Sequence, residues 1–232
     1  MTFTGWRNIW PAKRHDAVSI ITPQVLLKAY SVGVFPMAES ADDPALYWIE
    51  PDERGVLPLN GFHISHSLRK SVRHAGFEIR IDTAFERVMQ CCAEKTADRN
   101  DTWINKRILK LYGQLHKMGC CHSVECWRDG ELVGGLYGLR LGAAFFGESM
   151  FARATDASKV ALVHLVARLK FGGFKLLDAQ FVNDHLKQFG CYKLSKQDYR
   201  PVLDAATEAD ADFFAFKKDA DVEDVLRLAL KQ

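Results

Sequence analysis

The chain has 232 residues, of which 48% are hydrophobic, 26% charged and 11% aromatic. That is enough for one or two packed domains and excludes general disorder. Thirty-one Lys plus Arg against 29 Asp plus Glu leave a formal charge of +2, too near neutral for a chain that coats nucleic acid by charge alone, although a local basic face is compatible with it. No apolar run approaches the ~20 residues of a membrane span. The opening MTFTGWRNIWPAKRHD holds no apolar stretch of signal-peptide length, so a cytoplasmic protein is expected. The six cysteines fall at 91, 92, 120, 121, 126 and 191. Adjacent pairs suit neither a disulfide framework nor a zinc knuckle, and the spacing of Cys121, His122 and Cys126 fits no common metal site; buried thiols and no metal are expected.

In chain order, ITPQVLLKAYSVG predicts a helix with Thr22 as N-cap, Pro23 in its first turn and Gly33 as its stop. The next segment, FPMAESADDPALYWIEPDERGVLPLN, carries four of the seven prolines and reads as loops and short strands. A boundary is expected near residues 60–65, giving an N-terminal unit of residues 1–62 and a larger one of residues 63–232. DTAFERVMQCCAE places Phe85, Val88, Met89 and Cys92 on one helical stripe behind Asp82 as a cap. WINKRILKLYGQLHKMG does the same with Ile104, Ile108, Leu111 and Leu115. CHSVECW, the turn RDG, ELVGGLYGLRLG and AAFFGESMF read as three consecutive antiparallel strands. DASKVALVHLVARLKFGG is a helix capped by Asp156, packed through Val160, Leu162, Leu165, Val166 and Leu169, and ended by Gly172 and Gly173. FKLLDAQF is a short buried strand, and VEDVLRLALK is a last amphipathic helix. This order predicts an α+β fold with a mixed sheet.

Two features carry chemistry by residue type. Asp178 and Gln180, two apart on a strand, are expected to project from one face; ending a strand and capping a helix is the ordinary alternative. Glu148 lies inside the apolar run AAFFGESMF, where a carboxylate needs a cation or several donors to offset burial; a strand-end glutamate in solvent fits the residues equally.

The strings FPM, YWIEPDERGVL, TWI, HSVE-x-W, LVGGLYG, FFGESMF, ASK-x-AL and LLDAQ-x2-NDH-x4-G occur in one order over roughly residues 22 to 200. Together they resemble the leucyl/phenylalanyl-tRNA–protein transferase family. Met37, Ser31, Ile49, Glu53 and Ala179 depart from that family's usual residues. The resemblance implies a small N-terminal domain followed by a GNAT-like acyltransferase domain. It implies transfer of leucine or phenylalanine, with methionine as a further donor, from aminoacyl-tRNA to the α-amine of acceptor proteins beginning with Arg or Lys, which marks them for degradation. No cofactor is implied. A GNAT-like N-acyltransferase using acyl-CoA is the alternative, although the segment before the central helix, SMFARATDAS, lacks the glycines of a pyrophosphate loop.

Within the resemblance, Gln180 aligns the attacking amine, Asp178 polarises it, and Glu148 faces the acceptor's ammonium or basic side chain. Aminolysis of an ester needs a neutral, aligned amine, and positioning alone is worth ~7–11 kcal/mol in good cases. Phe145, Met150, Leu162 and Leu177 are candidates for the pocket that holds the transferred side chain, with core packing as their ordinary role. Trp48 and Trp103 are candidates for stacking on the terminal adenosine. Arg69, Lys70, Arg73, Lys106, Arg107 and Lys110 are candidates for a phosphate track, and Arg54 is a separate basic candidate. A monomer is expected.

Overall fold

The computed structural model describes residues 21–95 and 101–230. Helix α1, Pro23–Ser31, starts as its sequence dictates: Thr22 Oγ1 accepts the Val25 N–H at 3.3 Å and Pro23 opens the first turn. Gly33, at φ +79°, then turns the chain out of the helix. The proline-rich stretch forms β1, Phe35–Met37, paired antiparallel with β2, Tyr47–Ile49. Strand β3, Glu53–Leu57, leaves that pair and enters the large sheet.

The rest of the described chain continues as α2 His66–His74, β4 Glu78–Ile81, α3 Phe85–Ala93, α4 Lys106–Lys117, β5 Cys121–Arg128, β6 Glu131–Leu141 and β7 Ala144–Ala152. It ends with α5 Ala157–Phe171, β8 Leu176–Gln180, α6 Asp184–Lys187, β9 Tyr192–Ser195, α7 Lys196–Glu208 and α8 Val222–Leu230. Seven strands form one mixed sheet in the order β4-β5-β6-β7-β8-β3-β9. Every neighbouring pair is antiparallel except β7 and β8, which are parallel because α5 carries the chain back between them. The fold is α+β, as the element order predicts, and no helix among the described residues is long and apolar enough to cross a membrane.

Alternation along the strands divides the core in two. Phe146, Leu176 and Val56 pack with α1, α3, α4 and α7. Their neighbours Phe145, Leu177 and Leu57 pack with α2, α5 and α8 on the other face. The period-2 pleat assigns each side chain to its layer. The stripes expected on α3 and α4 are buried, and β5, β6 and β7 form the expected meander. All six cysteines are free thiols, five buried and Cys120 partly so.

Two expected caps are corrected. Asp82, at φ +59°, does not cap α3; its carboxylate accepts the Ser123 N–H at 2.7 Å and contacts His122 Nδ1 at 2.7 Å. The orphan N–H groups ahead of α3 go instead to the buried Glu125, which accepts Thr83 N–H at 2.9 Å and Ala84 N–H at 2.8 Å. Glu125 also takes Ser123 Oγ at 2.8 Å and Trp127 Nε1 at 2.9 Å. A buried carboxylate with this many donors is fully compensated, and these bonds tie Ser123, Glu125 and Trp127 of HSVE-x-W into one unit. Asp156 occupies the N-cap position of α5 at φ +62°, but its side chain makes no cap bond; it binds Ser71 Oγ at 2.7 Å and Lys159 Nζ at 2.8 Å.

Candidate active site

Strands β7 and β8 stay in register only from Ala144 opposite Leu176 to Phe146 opposite Asp178. Beyond that point a β-bulge acts on each. Along β6 and β7, Tyr137 pairs with Ser149 but Gly138 pairs with Gly147, so Glu148 is the extra residue. The phase of β7 changes across it: Phe146 and Phe151 lie in one core layer, while Phe145 and Met150 lie with the other. A bulge re-aims a side chain in this way, and here it sends a carboxylate out of an apolar strand toward two tyrosines.

The second bulge skips Ala179. Val56 pairs with Asp178 but Gly55 pairs with Gln180, and Gln180 adopts the left-handed φ of +56°. The expectation that Asp178 and Gln180 share one face by simple alternation is therefore corrected. Asp178 is wholly buried and its Oδ1 accepts the backbone N–H of Gln180 at 2.7 Å. The same carboxylate takes Arg54 Nε at 3.0 and 2.8 Å and the Tyr199 hydroxyl. Asp178 thus fixes the backbone turn that presents Gln180 and does not touch its side-chain amide. A Cβ at Gly55 would lie 2.6 Å from the Phe181 carbonyl carbon, so only glycine lets the turn close against β3. Gly55→Ala is expected to lower transfer activity about tenfold or more with modest loss of thermal stability; a kinetic comparison at matched folded fraction checks it.

The Gln180 side chain donates through Nε2 to Glu148 Oε1 at 3.2 Å. Glu148 also receives the Tyr30 hydroxyl from α1 at 2.7 Å and the Tyr112 hydroxyl from α4 at 3.2 Å, and the two hydroxyls bond to each other. Burial, opposed by these tyrosine bonds, pushes the Glu148 carboxyl up to about 7. Burial and the neighbouring carboxylate hold both tyrosines well above their ordinary range, so they stay donors. Three contacts close this triangle of hydroxyl and carboxyl groups, and two hydroxyl protons fill only two of them. With Glu148 ionised, both hydroxyls donate to it and their mutual contact lacks a proton; with Glu148 protonated, its own proton fills the third, which favours the neutral form as burial does.

Glu148 and Gln180 line a cavity of about 220 Å³ with Leu57, Leu136, Met150, Leu162, Leu165 and Leu177, and the two tyrosines back Glu148 from outside that lining. Of the pocket candidates read from sequence, Met150, Leu162 and Leu177 line it. Phe145 does not: it is fully buried in the core, stacked on Phe213 with centroids 5.7 Å apart. Arg54 lies outside it too, 1% exposed, with Nη1 on the Gly33 carbonyl at 2.9 Å and its guanidinium 4.6 Å from the Phe35 ring. A cation so enclosed is out of reach of an RNA phosphate; it ties the turn after α1 to β8. Trp48 and Trp103 are partly exposed and pack on the edge of the core layer that holds Tyr30 and Tyr112, away from the cavity wall. On the basic helices, Arg73 is paired with Glu223 of α8 at 2.6 Å, and Arg69 donates to the Ile64 carbonyl.

Tyr30, Tyr112 and Tyr199 are site residues that sequence reasoning missed. Each comes from a different helix, at a position that reads as ordinary core. Leu136 is legible only through register, since it sits opposite Met150.

An apolar hollow that ends in a carboxylate of near-neutral pKa and an amide whose Oε1 accepts no bond among the described residues is built for acyl transfer to an amine. The sequence comparisons sharpen that class. A family described as leucyl/phenylalanyl-tRNA protein transferase matches residues 56–204, and the N-terminal domain of the same family matches residues 20–52. A leucyl/phenylalanyl-tRNA–protein transferase of Paramagnetospirillum magneticum is 58% identical over 87% of this chain and 95% of its own length. Relatives of the same description from Rhodopseudomonas palustris and Nitrobacter winogradskyi are 56% identical over 93% of this chain and 58% identical over 90% of it, covering 96% and 93% of their own lengths. The chain belongs to the leucyl/phenylalanyl-tRNA–protein transferase family and is an aminoacyltransferase.

Proposed function

We propose that this protein moves leucine or phenylalanine, with methionine as a further donor, from the 3′ end of aminoacyl-tRNA to the α-amine of proteins that begin with Arg or Lys, marking them for degradation. The reaction runs in the cytoplasm on a monomer, with residues 1–62 as the N-terminal unit and residues 63–232 as the transferase unit. The observation that carries this reading is Glu148 joined to Gln180 at the polar end of the leucine-lined cavity.

In this reading the donor's side chain fills the cavity, and Trp48 and Trp103 flank the terminal adenosine. The amine nitrogen approaches with one N–H directed at Gln180 Oε1 and attacks the ester carbonyl carbon. The bond from that carbon to the ribose oxygen breaks, the amine proton passes to Glu148, and the ribose oxygen recovers a proton from Glu148 or through the neighbouring 2′-hydroxyl. An α-amino group of pKa ~7.7–8 is partly neutral near pH 7, so a base of similar pKa is well matched to it. When ionised, Glu148 also favours a cationic acceptor. The carboxylate of Asp156 at the start of α5 opposes an acyl-CoA reading, because a pyrophosphate would need that helix terminus.

The test is transfer of labelled leucine from charged tRNA to peptides beginning with Arg, Lys, Asp or Glu. Label in the Arg and Lys peptides alone is expected; label in the Asp and Glu peptides would overturn the acceptor assignment, and acyl transfer only from a thioester would overturn the donor. Met150→Ala widens the cavity and is expected to raise use of phenylalanine over leucine by about tenfold, since one or two methylenes are worth ~1–3 kcal/mol in such a pocket; competition between the two charged tRNAs reads it. Gln180→Ala is expected to lower the rate about a hundredfold while tRNA retention stays near normal, measured by single-turnover kinetics beside filter binding.

A further inference from the structure

Helix α5 separates two cavities. Leu162 and Leu165 line the one described above, whereas His164 and Arg168 line a second cleft of about 530 Å³ against α2, β4 and the segment before α8. Its charges do not balance. Two rim arginines are already neutralised: Arg80 by Glu78 at 2.7 Å and Arg73 by Glu223 at 2.6 and 2.9 Å. Arg168, Lys217 and Lys218 have no carboxylate in ion-pair contact among the described residues, and Asp219 is the one remaining acidic residue of the lining.

Arg168 is the unusual member. It is 3% exposed, it donates only to the neutral carbonyls of Phe213, Phe216 and Lys217, and its Nε has no partner. Its guanidinium also lies 5.4 Å from the Phe213 ring and 5.7 Å from the Phe216 ring, and Asp82 and Asp212 act on it only from beyond ion-pair distance, so among the described residues no counter-charge touches this buried cation. His164, one turn earlier on the same face, adds an imidazole that can donate to a bound anion. Burial and the Arg168 charge hold that imidazole down at about 4, so in the empty cleft it is neutral and adds no further repulsion. Phe77 and Phe216 supply apolar walls.

We infer that this cleft is a binding site for a phosphorylated ligand, with Lys217, Lys218 and His164 receiving the phosphate oxygens and the buried Arg168 adding its charge from behind the wall. Cationic groups with no carboxylate in contact along one cleft suit a multiply charged oxyanion. Its lining shares no residue with that of the transferase cavity, so it is distinct from the place where the aminoacyl end reacts. The phosphate can belong to a free small molecule or to a nucleic-acid backbone.

The test is calorimetric titration of the full chain with pyrophosphate, followed by competition with a short single-stranded RNA. Saturable one-to-one binding is expected, and the double variant Lys217→Ala/Lys218→Ala and the single variant His164→Asn should each weaken it about tenfold, with transferase activity unchanged. Displacement of pyrophosphate by RNA, weakened by the same variants, supports the site and assigns it to a backbone phosphate. Retention of pyrophosphate against RNA supports it and assigns it to a small molecule. No saturable binding, or binding indifferent to both variants, overturns the proposal and leaves Arg168 as a clasp for the 213–217 segment.

Discussion

Glu148→Gln is expected to lower the transfer rate by about 10²–10⁴ and, at the same time, to stabilise the protein above neutral pH. The two effects share one cause. Burial raises the Glu148 carboxyl to about 7, against ~4.3 in the unfolded chain. Below pH ~4.3 the group is protonated in both states and costs nothing. Between about 4.3 and 7 the native state binds a proton that the unfolded state does not, so stability falls as pH rises through that window. Above 7 the ionised carboxylate costs on the order of 3 kcal/mol, less what water in the open cavity screens. The amide keeps the hydrogen bonds and removes the charge. Thermal unfolding of wild type and variant at pH 5 and pH 8 checks this: the variant should gain stability at pH 8 and little at pH 5. Equal gains at both values would mean that Glu148 does not titrate near neutrality, and its assignment as the proton acceptor would fail with it. The wild-type rate should rise through pH 7, and in the variant only the rise set by the acceptor amine at pKa ~7.7–8 should remain.

Arg54→Met is expected to be the most damaging single change outside the cavity. It leaves Asp178, which is wholly buried, without its cation, and breaking a buried pair from one side costs about 3–5 kcal/mol. For a chain of this length that is a loss of roughly 10 °C in Tm. The Tyr199 hydroxyl and the Gln180 N–H remain on the carboxylate but do not balance its charge. Arg54 also loses its bond to the Gly33 carbonyl, which loosens α1 and with it Tyr30. Activity should therefore fall further than folded fraction alone explains. The double variant Arg54→Met/Asp178→Asn removes both charges and should recover about half of the lost stability while leaving activity low, because the turn at Gln180 is then held more weakly. Differential scanning calorimetry and single-turnover rates on the three proteins separate the two contributions.

The contrast between Glu148 and Asp178 follows from their partners. Both are carboxylates on neighbouring strands, each beside a bulge. Asp178 faces a guanidinium, a phenol and a backbone amide, all fixed, so it serves as a structural anion. Glu148 faces two phenols and a primary amide across an open cavity, with no cation in contact, so its charge is conditional. Partners that differ in this way divide the roles of a site between the two groups.

Local physics made much of the fold legible before any coordinates. Thr22, Pro23 and Gly33 bracket α1 because caps and stops act within a few residues. The stripes of α3 and α4, the hairpin turn at Asp129 and Gly130, and the meander of β5 to β7 follow from periods of 3.6 and 2 and from turn residues at left-handed φ. Glu148 stood out as a carboxylate in an apolar run, and Asp178 and Gln180 by their spacing and the family resemblance; of the four pocket candidates Phe145, Met150, Leu162 and Leu177, the last three line the hollow and Phe145 does not.

What the sequence determined by itself was therefore the identity of α1, α3, α4, α5, α8 and β5 to β8, the family and the polar groups at its centre, since all of these are written in short-range pattern; β4, β9 and α7 were not read from it. Only the tertiary structure decided what each group does. The bulges at Glu148 and Ala179 arise from how β6 and β3 pair with their neighbours, and no period-2 reading of one strand contains them. Arg54 reads as a surface phosphate ligand until β3 is found inserted beside β8, where the same charge becomes the buried partner of Asp178. Tyr30, Tyr112 and Tyr199 lie far apart in the chain, and each meets its carboxylate only because separate helices are packed on one face of the sheet. Proton affinity is set by desolvation and by neighbours brought together across that distance, and these exist only once the chain has folded.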